Sequence, residues 1–517
     1  MPATNQISPS EMEHTLTQHE GVAQAAVTAW PPPGRPDAPY GPDHPRLVAY
    51  VVPASGGGQG RETDRIEEWQ QIYERVYTAS PSEPFGEDFS GWDSSYDGRP
   101  IDRDHMRQWR SATVDRIREL RPRRVLEIGV GSGLLLSRLA ADCETYWGTD
   151  FSGPAIEELH RNVKEQPQLA DRVTLRTQAA DDVDGLPAGY FDTIVINSVT
   201  QCFPSGDYLT RVITRALGVL APGGAFFIGD VRDLRTLEYF HTAVALHRRS
   251  GTDAASLAVA VEKSRNRDEE LLVHPGYFVG LPALDPAVGA VDIQLQQGRY
   301  HNEMSRHRYD VVLHKAPAQV TDVGDCPSLA WGTDIRDVSV LADRLGGTRP
   351  PLRITGIPNA RIANEEGAWR ALTEGDAVRA RELLTGHDPT AVDPQKLTQL
   401  AVDAHLHLAL VPGPDHPGHF EAVFTQPQPI RTALARTYRH TAAAAAAPPL
   451  TENPAATHRA GRFAARLRDW LGERLPGRAL PAIVVVDALQ LRSDGTPDVR
   501  ALPQPPAADG AATLSHG

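Results

Sequence analysis

The sequence predicts an α/β fold built on a mostly parallel sheet. Between about residues 110 and 315, apolar runs typical of strands alternate with helical segments, which is the pattern of consecutive βαβ units. The first run passes straight into the glycine-rich turn VGSG and then into a helical stretch, as a parallel strand of such a sheet does. The six runs are RVLEIG, TYWGTDF, VTLRT, DTIVINS, GAFFIGD and YDVVLH.

Length, composition and charge limit the class of protein. A chain of 517 residues, 40% hydrophobic and 23% charged, is globular and long enough for about two to four domains. The net charge of −14 argues against a nucleic-acid partner, because a phosphate backbone attracts a basic face. No run reaches the ~18 apolar residues of a membrane span, and the first residues lack a signal-peptide pattern. We expect a cytoplasmic protein without a membrane partner.

The cysteines predict neither a metal site nor a disulfide framework. Cys143, Cys202 and Cys326 are widely spaced and odd in number, whereas zinc sites use closely spaced pairs. We therefore expect reduced thiols and no bound metal, as in the cytosol.

Residues 1–55 are typical of a small α/β segment. Ser8 and Pro9 suit the N-cap and first position of a short helix. Two strand-like runs, GVAQAAVTAW and RLVAYVV, follow it and flank a turn rich in proline and glycine. The composition of PASGGGQG, residues 53–60, is that of a flexible linker.

Residues 62–430 form the next predicted domain. It begins with the amphipathic helix RIEEWQQIYERVY, has its core at about 110–315, and continues into an accessory region at about 316–430. The accessory region contains its own strand-like runs, LRITGIP and LHLALV.

A low-complexity joint, TAAAAAAPPLTENPAA, separates this domain from the last one, residues 455–503. That segment has an amphipathic helix, RFAARLRDWLGERL, a strand, AIVVVDAL, and a hairpin-like end, RSDGTPDVRALP. Residues 504–517 are expected to be a disordered tail.

The glycine turn is the first candidate binding site. Gly129, Gly131 and Gly133 follow a strand and precede a helix, so they allow a ligand to approach the backbone and a helix N-terminus closely. The dinucleotide fingerprint needs its third glycine one position later, where this chain has Leu134. Glu127 adds a carboxylate, which disfavours a pyrophosphate and favours a cationic group. The pattern therefore favours S-adenosyl-L-methionine over NAD.

Acidic residues at the ends of the next strands complete the predicted cofactor site. Asp150 closes the second strand and is placed to bind a ribose diol, and Phe151 follows it. Asp181 and Asp182, after the third strand, are candidates for the adenine amino group; the alternative is that they cap the next turn, and it applies more to Asp182 than to Asp181.

Six stretches then show a family resemblance. They resemble, in order, the methyltransferase domains embedded in nonribosomal peptide synthetases, from about residue 66 to about 425. The resemblance implies a class I S-adenosylmethionine methyltransferase with a Rossmann-like sheet. The stretches are FSGWDSSYDGRPI, RVLEIGVGSGLLLSRL, YWGTDFS, NSVTQCFPSGDYL, PGGAFFIGDVRDL and NEMSRHRYDVVLHK.

Both ends resemble the small C-terminal subdomain of an adenylation domain that such methyltransferases interrupt. HEGVAQAAVTAW with RLVAYVVPA is similar to its start, and the stretch from RFAARL to ALPQP is similar to its end. The family has a lysine after Asn-Gly in the closing motif, whereas Asp494 and Gly495 are followed here by Thr496. The resemblance implies a subdomain remnant without adenylation activity.

Insertion at this place implies N-methylation of the backbone α-amine of a carrier-protein-bound aminoacyl or peptidyl thioester, within synthetase modules. Side-chain O-methylation and a non-catalytic docking module remain the alternatives. Cys202 stands where the family has an aromatic residue, so it is a candidate substrate contact that leaves the acceptor open.

Four side chains are candidates for catalysis. Asn197, which is also a candidate cofactor contact, and Gln201 offer amides that orient an amine, which needs orientation more than a base. Asp230 and Glu303 lie in motifs that the family places beside the active site. Each has a structural alternative: Asn197 can end its strand, and Glu303 can pair with Arg306 one helical turn away.

Two aromatic residues in GWDSSYDG are candidate substrate contacts. Trp92 and Tyr96 precede the core sheet, where they can form a lid that excludes water. Packing against the N-terminal helices is the alternative for both.

Overall fold

The computed structural model describes residues 8–30, 46–54, 62–79, 83–249, 251–347, 350–428, 432–439, 450–486, 488–490, 492, 497–498 and 502. The helices are α1 Pro9–Thr17, α2 Glu62–Ala79, α3 Arg103–Glu119, α4 Leu136–Leu139, α5 Gly153–Lys164, α6 Pro167–Ala170, α7 Gly206–Val219, α8 Leu237–Arg248, α9 Ala254–Arg265, α10 Pro275–Leu284, α11 Glu303–Arg306, α12 Val338–Gly347, α13 Ala363–Thr373, α14 Ala377–Thr385, α15 Pro394–Asp403 and α16 Pro454–Arg474. The strands are β1 Val22–Trp30, β2 Arg46–Pro53, β3 Arg124–Ile128, β4 Thr145–Asp150, β5 Val173–Thr177, β6 Phe191–Asn197, β7 Leu220–Arg232, β8 Val288–Leu295, β9 Arg308–Lys315, β10 Gln319–Asp322, β11 Ser328–Ala330, β12 Leu352–Pro358, β13 His407–Pro412, β14 His419–Thr425, β15 Thr432–Ala435 and β16 Ala482–Val485.

The chain divides into two compact units. Unit 1 contains residues 1–65, 262–269 and 454–517, and unit 2 contains residues 66–261 and 270–453. The predicted first and last segments thus fall in one unit, together with residues 262–269, which the sequence pattern did not predict. Asp494–Thr496, in the stretch that resembles an adenylation motif, and the predicted tail at 504–517 lie outside the described residues.

Unit 1 is built on a three-stranded sheet. β2 pairs antiparallel with β1 and parallel with β16. Ser8 caps α1 as predicted, because its side chain accepts a hydrogen bond from the Glu11 amide at 3.2 Å. One face of the sheet packs under α1 and α16, whose buried side chains are Met12, Leu16, Phe463, Leu467 and Leu471.

Unit 2 contains a seven-stranded sheet of order β5-β4-β3-β6-β7-β9-β8. The first five strands are parallel, and β9 is antiparallel to both β7 and β8. The strand order reverses between β3 and β6, and the carboxyl ends of parallel strands at such a point form a ligand crevice. This sheet confirms the predicted fold class.

Two local predictions in this sheet were incomplete. β8 is an edge strand that the sequence pattern did not predict. The helix expected over LLLSRLAA is the single turn α4 followed by a short 3-10 turn, Ala140–Asp142, so the glycine turn has only a short helix behind it.

The accessory region has its own sheet, of order β11-β12-β14-β13. Its core includes Leu352, Ile354, Phe420 and Phe424. The predicted runs LRITGIP and LHLALV are β12 and β13. Across the described ranges, no helix combines the length and the apolar character that a bilayer crossing requires.

Candidate active site

The glycine turn lies at the carboxyl end of β3 and has a left-handed backbone. Gly129, Gly131 and Gly133 have φ of +78°, +51° and +81°, a region that side chains other than glycine rarely adopt. A Cβ atom on Gly131 would lie 2.9 Å from the hydroxyl of Tyr77, and one on Gly129 would lie 2.3 Å from Val199. Both positions therefore require glycine.

Two buried carboxylates flank this turn. Asp150 Oδ2 accepts a hydrogen bond from the Gly131 amide and Oδ1 from the Ser152 amide, both at 2.9 Å. Glu127 is 3% exposed, and Tyr146 Oη donates to its Oε2 at 2.7 Å. Among the described residues, no cationic side chain pairs with either carboxylate.

The pKa of Glu127 is raised, because this buried carboxylate has no cationic side chain beside it among the described residues. Burial raises the pKa of Glu127 to about 8, the hydrogen bond from Tyr146 opposes this shift, and the charge of Asp150 adds to it. Burial also raises the pKa of Asp150, against its two backbone hydrogen bonds. A bound cation would relieve both carboxylates.

We expect Glu127→Gln to change how stability depends on pH. In the wild type the folded state keeps a proton that the unfolded chain loses near pH 4.3, so its stability falls as the pH rises toward about 8. The variant lacks this loss, and the difference in unfolding free energy should reach a few kcal/mol, on the order of magnitude that linkage gives. Urea denaturation at pH 5.5, 7.0 and 8.5 measures it. Glu144→Gln, at a half-exposed position, is the control, and parallel curves for wild type and Glu127→Gln would contradict the assignment.

Helix α2 contributes two tyrosines to the site. The sequence pattern indicated them only as part of an apolar helix face. The rings of Tyr73 and Tyr77 stack with centroids 6.0 Å apart, and the Tyr73 ring lies 6.3 Å from that of Phe151. Cys202 Sγ lies 3.7 Å from Tyr73 Oη. The pKa of Tyr77 is well above its ordinary value because the hydroxyl is buried near Asp150, so it stays neutral. The signal was the spacing of two tyrosines four residues apart.

The predicted amides meet at Ser198, directly after β6. Asn197 Nδ2 donates to Ser198 Oγ at 3.2 Å, and Gln201 Nε2 donates to the Ser198 carbonyl at 2.9 Å. Ser198 has φ of +58°. The side-chain oxygens Asn197 Oδ1 and Gln201 Oε1 are buried and accept no hydrogen bond within the described part of the chain. The side-chain amides of Asn197 and Gln201 therefore each offer an oxygen that can accept a hydrogen bond.

Asp230 continues this cluster into β7. It is fully buried, accepts a hydrogen bond from Ser198 Oγ at 2.6 Å, and pairs with Arg308 at the start of β9. Glu303 accepts from the Ser95 amide at 2.8 Å and from Ser95 Oγ at 2.9 Å. Asn197, Gln201 and Asp230 are thus joined through Ser198, whereas Glu303 bonds to Ser95, and Arg306, its alternative partner, pairs with Glu365.

Four other predicted residues have partners within the protein. Tyr208 Oη donates to Asp181 Oδ1 at 2.9 Å. The Trp92 ring packs against that of Trp109 in α3 with centroids 5.0 Å apart, which was its structural alternative. Tyr96 Oη donates to Glu365 Oε1 at 2.8 Å. Asp182, in turn, accepts from the Asp184 amide at 2.8 Å, as a turn cap does.

Comparison with known proteins identifies the part of the sheet that carries the glycine turn. Residues 126–226 match the family model of a methyltransferase domain, which runs from β3 into β7. This match and the sheet confirm the predicted class of domain, a methyltransferase with the fold of the S-adenosylmethionine-dependent enzymes.

The similarity to known proteins extends over almost the whole length of this chain. A probable non-canonical nonribosomal peptide synthetase, CymA, from Salinispora arenicola is 36% identical over 96% of this chain and 6% of its own length. Chondramide synthase cmdD from Chondromyces crocatus is 36% identical over 96% of this chain and 13% of its own. The chain thus spans a small fraction of the relatives it matches.

A solved structure, N-methyltransferase NodS from Bradyrhizobium japonicum WM9 in complex with S-adenosyl-l-homocysteine, is 17% identical. It covers 48% of this chain and 98% of that one, at a TM-score of 0.30. The chain therefore carries a methyltransferase domain, and along 96% of its length it is related to nonribosomal peptide synthetases.

Proposed function

We propose that this chain N-methylates the backbone α-amine of an aminoacyl or peptidyl thioester held by a carrier protein of a nonribosomal peptide synthetase. The observation that carries the proposal is the pair of buried carboxylates, Glu127 and Asp150, beside a left-handed glycine turn. The methyltransferase domain and the synthetase relatives support it.

The residues around the glycine turn fit S-adenosyl-L-methionine. Glu127 is the proposed carboxylate on the side of its cationic methionine group, and Asp150 is the proposed ribose contact. Phe151 and the glycines complete the proposed cofactor site, with Asp181 on its adenine side. When bound, the cofactor supplies an electrophilic methyl group.

The acceptor side suits an amine. A neutral primary amine has two N–H donors. Two buried side-chain oxygens, Asn197 Oδ1 and Gln201 Oε1, accept no hydrogen bond from the described residues. The ordinary pKa of an α-amine is near 8, so a useful fraction is neutral at pH 7 and needs orientation rather than a strong base. Asp230 and Glu303 hold the neighbouring Ser198 and Ser95 in place. We propose Cys202 and Tyr96 at the edge of the acceptor site.

The flanking segments define the proposed context. We propose that unit 1 is the remnant of an adenylation subdomain, and that unit 2 is the methyltransferase with its accessory region. The partners are then a carrier protein and synthetase modules, and the location is the cytoplasm.

A binding experiment followed by a product experiment tests this function. Calorimetric titration with S-adenosyl-L-methionine should show one site per chain. Aminoacyl carrier proteins incubated with enzyme and cofactor should then gain one methyl group by mass spectrometry, located on the α-nitrogen by fragmentation. A methyl group on a side-chain oxygen would overturn the N-methylation proposal, and absence of cofactor binding would favour a docking module.

We expect Asp150→Ala to weaken cofactor binding by roughly 10- to 100-fold, the range for a lost hydrogen bond to a charged group. Loss of its bond to the Gly131 amide also releases the glycine turn. Isothermal titration measures the change, with Asp142→Ala, at an exposed position, as control. An unchanged dissociation constant would place the ribose elsewhere.

A further inference from the structure

Residues 83–102, between α2 and α3, form a segment that is fixed to the site at its first end. The carbonyl oxygen of Asp88 accepts a hydrogen bond from Ser132 Oγ in the glycine turn at 3.0 Å. A Cβ atom on Gly133 would lie 3.1 Å from the ring of Phe85. The segment therefore starts in direct contact with the proposed cofactor site.

Two buried carboxylates fix the same segment further along. Glu303 holds Ser95 by its amide and its hydroxyl at 2.8 and 2.9 Å. Glu365 holds the next residue, Tyr96, by its hydroxyl at 2.8 Å. Glu303 belongs to the proposed acceptor site, whereas Glu365 belongs to α13 in the accessory region, where the sequence predicted no site residue.

Glu365 also holds the turn that presents Glu303. Its oxygens lie 2.9 Å from Arg306 Nη1 and 2.7 Å from His307 Nε2, and these two residues lie at the end of α11, which starts at Glu303. Burial would raise the pKa of Glu365, but His307, Arg306 and Tyr96 outweigh burial and hold it below its ordinary value. The group is therefore a charged carboxylate, only 2% exposed.

We propose that Glu365 is a positioning residue for the acceptor. By holding Tyr96 and Arg306 together, it fixes Ser95 and Glu303 at the acceptor side of the site. The accessory region then contributes to acceptor affinity, although it lies outside the seven-stranded sheet that carries the proposed site. This inference rests on the function proposed above, because it presupposes an acceptor beside the Asn197–Asp230 cluster.

The path from Glu365 to that cluster is continuous. Glu303 lies close enough to Arg308 for its charge to act on the guanidinium, and Arg308 pairs with Asp230. Asp230 in turn holds Ser198, on which both amides depend. The cofactor side is held by other contacts, from Tyr77, Ser132 and Gly131. A change at Glu365 should therefore separate acceptor binding from cofactor binding.

The test compares Glu365→Gln, Tyr96→Phe and the double variant with the wild-type chain. The probe is the carrier protein loaded with the amino acid that gains a methyl group in the screen above. Its affinity is measured by fluorescence anisotropy with S-adenosylhomocysteine present, and cofactor affinity is measured separately by calorimetry. Glu374→Gln, at the end of the same helix and 57% exposed, is the matched control.

We expect Glu365→Gln to weaken carrier-protein binding and raise the acceptor KM by about 10-fold, as loss of one charge-assisted hydrogen bond does. The kcat should change less than the KM, and cofactor affinity should stay within about 2-fold, the additive error for separate sites. Tyr96→Phe should act in the same direction, and the double variant should be no worse than Glu365→Gln, because both changes act on the same contact between Tyr96 and Glu365.

Equal losses of cofactor and acceptor affinity would show that Glu365 stabilises the whole site and not the acceptor side alone, and would overturn the proposal. Unchanged acceptor affinity in both folded single variants would overturn it as well. Tyr96→Phe removes one hydroxyl only, so it decides the question even where Glu365→Gln does not fold. A wild-type chain that binds cofactor but methylates no carrier-bound amine would instead refute the proposed function, and this inference with it.

Discussion

Replacing Gly131 with valine is expected to weaken S-adenosyl-L-methionine binding by at least about 100-fold, which is roughly 2.7 kcal/mol. A side chain at φ of +51° costs roughly 1–2 kcal/mol in backbone strain. The new Cβ also lies 2.9 Å from Tyr77 Oη, so the Tyr77 side chain or the glycine turn must shift. Movement of the turn breaks the bond between the Gly131 amide and Asp150. Calorimetric titration of the folded variant measures the loss.

Two further variants separate the steric clash with Tyr77 from the backbone strain at residue 131. Gly131→Ala should bind the cofactor better when combined with Tyr77→Phe, because the second change removes the atom that the Cβ meets. Gly153→Val is the control, since a Cβ there has no heavy atom within 4 Å. Wild-type affinity in Gly131→Val would refute the cofactor site.

Arg308→Met should be the most destabilising of the substitutions considered. It leaves Asp230, which has no exposed surface, without its cation, and an uncompensated buried charge costs about 3–5 kcal/mol. Urea denaturation measures the free energy of unfolding. Arg118→Met is the matched control, because Arg118 is 47% exposed and its pairs lie at the surface, where such pairs contribute ~0–1 kcal/mol.

The double variant Arg308→Met, Asp230→Asn distinguishes charge from packing. Neutralising Asp230 should recover a large part of the lost stability if the buried charge is the cause. Equal losses in the single and double variants would show that packing of the Arg308 side chain dominates instead.

The strands of the sheet could be predicted wherever the sequence shows a recognisable apolar run. Six of its seven strands follow from their apolar runs, but β8 contains Asp292 and Gln294, which are 6% and 3% exposed. Asp292 is buried because it pairs with Arg116 of α3 at 2.7 Å. A tertiary ion pair thus hides a strand whose sequence looks half polar.

The candidate site divides in the same way. The glycines, Glu127 and Asp150 depend on local strand and turn spacing, so the sequence alone indicates them. Tyr77, Arg308 and Glu365 act through contacts between segments far apart in the chain, which periodicity does not report. The helix pattern of α2 predicts a buried face, but not that its hydroxyls lie against the glycine turn.

The pairing of β16 with β2 sets an order of events during synthesis on the ribosome. Val48 and Ala482 are partners in this pairing, although nearly the whole chain separates them. At about 5–20 residues per second, β1 and β2 wait roughly 20–90 s for their third strand and for α16. A two-stranded hairpin is marginally stable alone, and Leu467 and Leu471 of α16, which help to cover Val51 on one of its faces, emerge at the end of that time. During that interval the nascent chain carries an apolar sheet covered only by α1, and such transiently exposed apolar strands are prone to non-native association.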